Sequence, residues 1–216
     1  MYLLNAIYCK GSWAFGFDPS DTRTEPFHLD DGSTRSVPLM TLDGTLPYQS
    51  NSRFQAVDLP YGGRAFAMTV LLPRQGMSVD TLAANLDAGE WEDIADGFSD
   101  EEVQLLLPRF RMSYERVLND DLVALGMVDA FDYDIADFTR MSPVERLFIS
   151  EVKQKSWVDV NEEGTEAAAA TSVAVSVLSG RTVPVVRADR PFLFFIRERL
   201  SGTILFAGKF ASPPAE

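Results

Sequence analysis

The sequence holds one cysteine, Cys9, and one histidine, His28, in 216 residues. A single cysteine excludes an intrachain disulfide framework. Cys9 sits in the strand-like run Ile7-Tyr8-Cys9-Lys10 and reads as a buried structural thiol, because no neighbouring histidine is there to activate it. So few histidines and cysteines also remove the usual zinc-ligand clusters, and neither a metal site nor a cofactor is expected. A Ser-His-Asp triad would have to use His28, yet no serine stands in a Gly-x-Ser-x-Gly elbow. His28, in Pro26-Phe27-His28-Leu29, reads as a structural strand residue. Glu162 and Glu163 are adjacent, so on a strand they point to opposite faces and cannot share a substrate. The hydrolase reading falls with these absences.

Positive charge is also scarce: 19 Lys and Arg against 32 Asp and Glu leave a formal net charge of −13. A nucleic-acid binder needs a basic face to displace counterions from phosphate. The acidic balance reads first as a solubility feature and only secondarily as a surface for a basic partner. No run of about 18 apolar residues is present, so no membrane-spanning helix is expected. The opening Met1-Tyr2-Leu3-Leu4-Asn5-Ala6-Ile7-Tyr8 lacks the basic region and small-residue cleavage site of a signal peptide. It reads as a strand already inside a fold. With 46% hydrophobic residues the chain can build one large domain or two small ones.

Strand patterns dominate what is present. Tyr2 to Lys10 ends at Gly11. Residues 26–40 give two strands around Asp30-Asp31-Gly32-Ser33, a hairpin signal. Phe54 to Leu59 and Phe66 to Leu72 flank the turn Pro60-Tyr61-Gly62-Gly63, and the second of these is nearly all apolar, as a strand covered on both faces should be. Val103 to Val117 reads as a long half-buried strand in which Phe110, Met112 and Tyr114 alternate with polar residues. Leu147 to Val160 is a second long strand, with Trp157 packed in the sheet. Phe192 to Arg197 and Thr203 to Phe210 close the chain. Two helices are predicted: Ser78 to Leu86, capped by Ser78, and Asn119 to Leu125, capped by Asn119, with Leu118, Leu122 and Leu125 on one face and Gly126 as the left-handed terminator.

Asn161 to Val177 behaves differently. Ala167 to Ala170 favours helix, whereas Val173, Val175 and Val177 favour extended chain. Small throughout and strand-competent, the segment suits a loop that later becomes a strand.

Glu162-Glu163-Gly164-Thr165-Glu166-Ala167-Ala168-Ala169-Ala170-Thr171 resembles the reactive-loop hinge of inhibitory serpins. Five further stretches resemble serpin motifs in the same order. They are Asn5 to Trp13 with its Lys-Gly-x-Trp ending, Pro26-Phe27-His28 with Val37-Pro38-Leu39-Met40, Leu125 to Phe131 with Asp137 to Ser142, Ala188 to Ile196, and Ile204 to Gly208. The resemblance covers essentially the whole chain. It implies an α+β serpin fold in its β-rich C-terminal part, with a large central sheet, smaller sheets, a few helices and an exposed reactive loop at about residues 164–187. Residues 1–216 are then the C-terminal portion of one serpin domain. Because residue 1 falls within a central strand, the N-terminal helical part is expected to be missing, and the fragment to be prone to self-association where the full-length protein would be monomeric.

The activity implied by the resemblance is that of a serine protease inhibitor and not an enzyme. A protease cleaves the loop, is held as an acyl-enzyme, and is trapped as the loop inserts into the central sheet. The strands expected to part are Tyr2–Lys10 and Leu147–Val160. Gly164 is the expected pivot, and Thr165, Ala167, Ala169 and Thr171 form a small inward-facing set. Counting along the loop puts the reactive bond between Leu178 and Ser179, with Val177 or Arg181 as alternatives. Leu178 suits a chymotrypsin- or elastase-like serine protease, and a cysteine protease is a further target class. Arg109 and Glu162 match an ion pair of relatives. Asn5, Trp13 and Gln154 match the region where the sheet opens, Gln154 standing where a histidine is usual. No nucleic-acid, membrane or polyanionic cofactor site is implied, and an extracellular setting is slightly favoured by the family. The rival reading is a non-inhibitory serpin-like binding or chaperone protein, or an inactive truncated fragment.

Overall fold

The β-branched and aromatic runs fold as strands, and the result is a sheet-rich α+β structure. The computed structural model describes residues 1–165 and 183–213. The chain divides into two units: Met1–Cys9 with Arg111–Asp159, and Lys10–Phe110 with Val160–Glu216.

In the first unit, β1 (Tyr2–Tyr8) runs parallel to β9 (Glu151–Asn161), from Tyr2 opposite Glu151 to Tyr8 opposite Trp157. Strand β8 (Phe110–Val117) also pairs with β9. The short helix α3 (Asn119–Ala124) follows β8. Asn119 accepts from the Val152 N–H at 2.8 Å and donates to the Ser150 carbonyl at 2.9 Å. Its amide thus joins the entrance of α3 to the start of β9.

The second unit is built on an eight-stranded sheet. Its strands are β3 (Arg23–His28), β4 (Thr34–Ser50), β5 (Phe54–Pro60), β6 (Phe66–Pro73), β7 (Ser99–Pro108), β11 (Val185–Arg187), β12 (Phe192–Glu198) and β13 (Ile204–Phe210). The order is β11-β7-β4-β5-β6-β12-β13, with β3 also on β4. The 17-residue β4 serves three partners in turn: β3 up to Leu39, β7 from Leu39 to Tyr48, and β5 from Tyr48 to Ser50.

The apolar run of β12 is explained by what lies on each side of it. Leu193 and Phe195 pack with Phe54, Leu71, Val79, Leu82 and Ile94, beneath α1 (Val79–Ala84) and α2 (Ala88–Asp96). Phe192 and Phe194 meet Phe110, 6.0 and 5.4 Å between ring centroids, and Phe192 also meets Phe210. A strand alternates its side chains, so only one covered on both faces can be apolar at every position. Gly208 of β13 lies against the Phe194 ring, where a Cβ would collide with the aromatic carbons.

Four local expectations are corrected. Asn119 does not cap α3: Leu118 is the N-cap residue and makes no side-chain cap bond, because the Asn119 amide is committed to β9. Leu125 is 84% exposed. Val103 to Val117 is two strands broken at Arg109, and the alternation holds in burial at Phe110 and in part at Met112 but fails at Tyr114, which is 58% exposed. Alternation tells which face a side chain takes, not whether anything covers that face. Cys9 is half-buried rather than buried. One helix was not foreseen. In α2, Asp87 accepts from the Glu90 N–H at 2.9 Å, and Trp91 and Ile94 face the core cluster. Gly126 does take a left-handed conformation, with φ +99°.

Candidate functional site

At the end of β9 the chain reverses through Glu162 and Glu163 into β10 (Gly164–Thr165). Asn161 closes this turn. Its side-chain oxygen accepts from the N–H groups of Glu163 and Gly164, at 3.0 and 3.2 Å, which is the local bonding that asparagine brings to turns. β10 pairs antiparallel with β9, Thr165 opposite Val160, and on its other side with β2 (Gly11–Ser12), Gly164 opposite Ser12.

The packing of β10 on β2 is what requires glycine at position 164. Its φ is +153°, and a Cβ there would lie 2.7 Å from the Ser12 Cα and inside the contact distance of the Gly11 carbonyl oxygen. These neighbours are backbone atoms and cannot swing aside. Sequence reasoning assigned Gly164 the role of a pivot; the geometry adds a steric demand made by Gly11 and Ser12.

Trp13 secures the same turn from the side of β2. Its backbone N–H donates to the Glu163 carbonyl at 3.0 Å and its indole N–H to the Asn161 carbonyl at 2.9 Å. The ring is buried and stacks on Tyr61 with centroids 4.7 Å apart. The Tyr61 hydroxyl lies 2.8 Å from the Thr165 hydroxyl, and Thr165 is fully buried. Buried hydroxyls need partners, and each supplies one to the other.

Glu162 carries the charge of the site. One carboxylate oxygen accepts from Arg109 and from the Thr22 hydroxyl, the latter at 2.7 Å. The Glu162 side chain is 6% exposed and that of Arg109 48%. Burial acts to raise the pKa of Glu162, but the hydrogen bonds from Arg109 and Thr22 outweigh it and hold the carboxyl below its ordinary value of about 4.5. A lowered folded-state value means that the contribution to stability is present above pH 4.5 and is lost as pH falls through that lowered value. Glu162→Gln is expected to cost about 1–2 kcal/mol near neutral pH and to flatten the acid limb of the stability profile below pH 4.5. Urea melts of both proteins across that range measure it, and parallel acid limbs would refute it.

The structure therefore brings together Trp13, Arg109, Glu162, Gly164 and Thr165. In the first unit, Asn5 and Gln154 are register partners on β1 and β9, and no side-chain hydrogen bond joins them. No described strand lies between β1 and β9. Glu166, Ala167, Ala168, Ala169, Ala170, Thr171, Leu178, Ser179, Val177 and Arg181 lie outside the described residues. Three participants were missed from sequence. Tyr61 was read only as part of the turn Pro60 to Gly63. Asn161 was read only as the first residue of the segment after the strand, although an asparagine preceding two acids and a glycine is a turn signal. Nothing local marked Thr22.

The sequence model described as serpin (serine protease inhibitor) matches residues 1–213. An uncharacterized serpin-like protein of Thermococcus kodakarensis is 40% identical, covering 99% of this chain and 50% of that protein. Human serpin B11 is 39% identical, covering 99% of this chain and 55% of its own length. Among solved structures, native protease nexin-1 with heparin superposes with a TM-score of 0.84 at 29% identity, over 98% of this chain and 57% of that one. The thermophilic serpin tengpin in its native state gives 0.82 at 29%, over 98% and 55%. The chain spans about half the length of the curated relatives it matches.

Proposed function

The chain belongs to the serpin family, and from that premise we propose that it serves as the C-terminal portion of one serpin domain in a serine protease inhibitor of the loop-trapping kind. The observation that carries the reading is β10, a two-residue strand already paired to the end of β9 and leading directly into the small-residue segment after Thr165. Extended further along β9, it would run antiparallel to that strand and add a strand between β9 and β1, which now pair directly.

The chemistry follows from the loop sequence. A target protease attacks the carbonyl of Leu178 and becomes esterified to it, with Ser179 as the first residue of the leaving fragment. Inward positions Thr165, Ala167, Ala169 and Thr171 are small and carry no charge, so an opening sheet accepts them without clash or buried ions. None is proline, so every ladder N–H is available. From Thr165 to Leu178 the segment spans roughly 45 Å when extended, long enough to carry an attached protease from one end of a strand to the other. Leu178 fits the apolar specificity pocket of a chymotrypsin- or elastase-like enzyme.

Incubation with chymotrypsin and with a neutrophil-elastase-type protease tests this. A complex that survives denaturing electrophoresis, together with a released peptide beginning at Ser179, is the expected result. Cleavage after Leu178 without a complex would leave a bait loop but no trap. No cleavage in residues 164–187 would overturn the inhibitory reading.

A further inference from the structure

A cavity of about 880 Å3 opens on the second unit, between the β4–β5 connection, the residues after β6, and the segment from Val185 to Arg190. That volume lies within the range of small-molecule sites. The sign of its charge sets it apart in a chain of net charge −13. The wall carries three guanidiniums, Arg74, Arg187 and Arg190, and one carboxylate, Asp189.

The three arginines are committed to different degrees. Arg190 is spent on structure: Nε and Nη2 donate to the Pro73 carbonyl at 3.2 and 2.8 Å, and Nη1 lies 3.3 Å from Asp189. Arg187 donates from Nε to Asp189 at 2.8 Å and from Nη2 to Glu25, which leaves Nη1. Among the described residues, the Arg74 side chain donates only from Nε, to the Asn51 carbonyl at 3.0 Å. Among the described residues no carboxylate lies within ion-pair distance of it. The Nε bond holds the guanidinium plane in place and leaves both Nη groups as an open fork. That fork matches two oxygens of a tetrahedral oxyanion, where a lysine would offer only a point charge. Ser52 and Gln75 add neutral donors to the same wall.

We propose that this cavity binds a small phosphate-class dianion, seated on Arg74 and reached by Arg187. Arg187 belongs to β11, a three-residue edge strand held by β7 on one side and by the Gln55 side chain, which donates to the Val185 carbonyl at 3.1 Å. An anion shared by Arg74 and Arg187 ties β11 to the end of β6. Occupancy therefore stabilises the strand on which the 164–187 segment ends.

Calorimetric titration with inorganic phosphate, at ionic strength held constant with sodium chloride, tests the site. Saturable binding is expected, weakened about tenfold in Arg74→Gln, with slower amide exchange at Val186 and Arg187 when phosphate is present. Arg74→Lys keeps the charge but loses the fork and is expected to weaken binding severalfold. It also serves as the test if Arg74→Gln melts early. Arg116→Gln, at a surface ion pair in the first unit, should leave binding unchanged. Phosphoserine titrated alongside reports whether the occupant is the free anion or a phosphate carried by another molecule; Arg74-dependent binding of either supports the site. Absence of saturable binding, equal binding by Arg74→Gln and Arg74→Lys to the unsubstituted protein, or equal weakening by Arg116→Gln would overturn the proposal.

Discussion

Asp58→Ala is expected to lower the unfolding free energy by about 3–5 kcal/mol, among the largest single-residue losses available in this chain. Asp58 on β5 is fully buried and Arg197 on β12 is 4% exposed. The Arg197 Nη2 donates to one Asp58 oxygen at 2.6 Å, and its Nε donates to the Thr69 hydroxyl at 3.1 Å. That hydroxyl donates in turn to the other Asp58 oxygen at 2.5 Å. The Phe98 ring covers the guanidinium, 5.6 Å from its carbon. Burial pushes the Asp58 carboxyl up, against the downward pull of Arg197 and Thr69, so the pair is not a large net source of stability. Its cost appears when it is broken. Alanine removes one charge and leaves the buried Arg197 without its ion-pair partner. The measurement is a urea melt, in which the midpoint should fall while the slope is kept. Replacing both residues, as in Asp58→Leu with Arg197→Met, should recover most of the loss, because no orphan charge remains. A single substitution costing under 1 kcal/mol would mean that water or another group reaches Arg197.

Gly164→Val is the second large effect. Valine cannot take φ +153° without strain, and its Cβ would occupy space held by the backbone of Gly11 and Ser12. Strand β10 must then leave β2, and the bonds that Trp13 makes to the Asn161 and Glu163 carbonyls go with it. The expected cost is about 3 kcal/mol or more at the turn, read as a rise of about a hundredfold in amide exchange at Trp13 and Phe17. Trp13 emission should change as its stack on Tyr61 loosens. Alanine is expected to act in the same direction and less strongly. Unchanged protection in Gly164→Val would show that β2 gives way at little cost, and that the glycine is needed for mobility alone.

Much of the fold was legible because its signals are repeated along the chain. The runs Phe66 to Leu72 and Phe192 to Ile196 are strongly apolar and read as strands, and the turn at Pro60 to Gly63 separates two strand patterns. What escaped depended on partners far away in sequence. Asn119 looks like a cap locally, but Ser150 and Val152 compete for its amide and win. Helix α2 has only Trp91 and Ile94 to mark its inner face, among Glu90, Glu92, Asp93 and Asp96. In the site, Glu162, Arg109, Gly164 and Trp13 came from a family pattern. Thr22 and Tyr61 did not, since each contributes one hydroxyl across more than a hundred residues. The asymmetry is physical: a motif records which residues a segment carries, whereas a tertiary hydrogen bond records where a second segment happened to stop.

The parallel pairing of β1 with β9 joins residues about 150 positions apart in sequence. At ordinary elongation rates Tyr2 is incorporated on the order of ten to thirty seconds before Glu151. No local turn joins β1 to β9, and Leu3, Leu4 and Tyr8 of β1 are exposed within the described residues. For that interval β1 cannot make its pairing with β9, because the partner strand has not yet been synthesised. The β1–β9 ladder therefore closes over most of the chain's length at once, and its formation belongs to the late, slow part of folding.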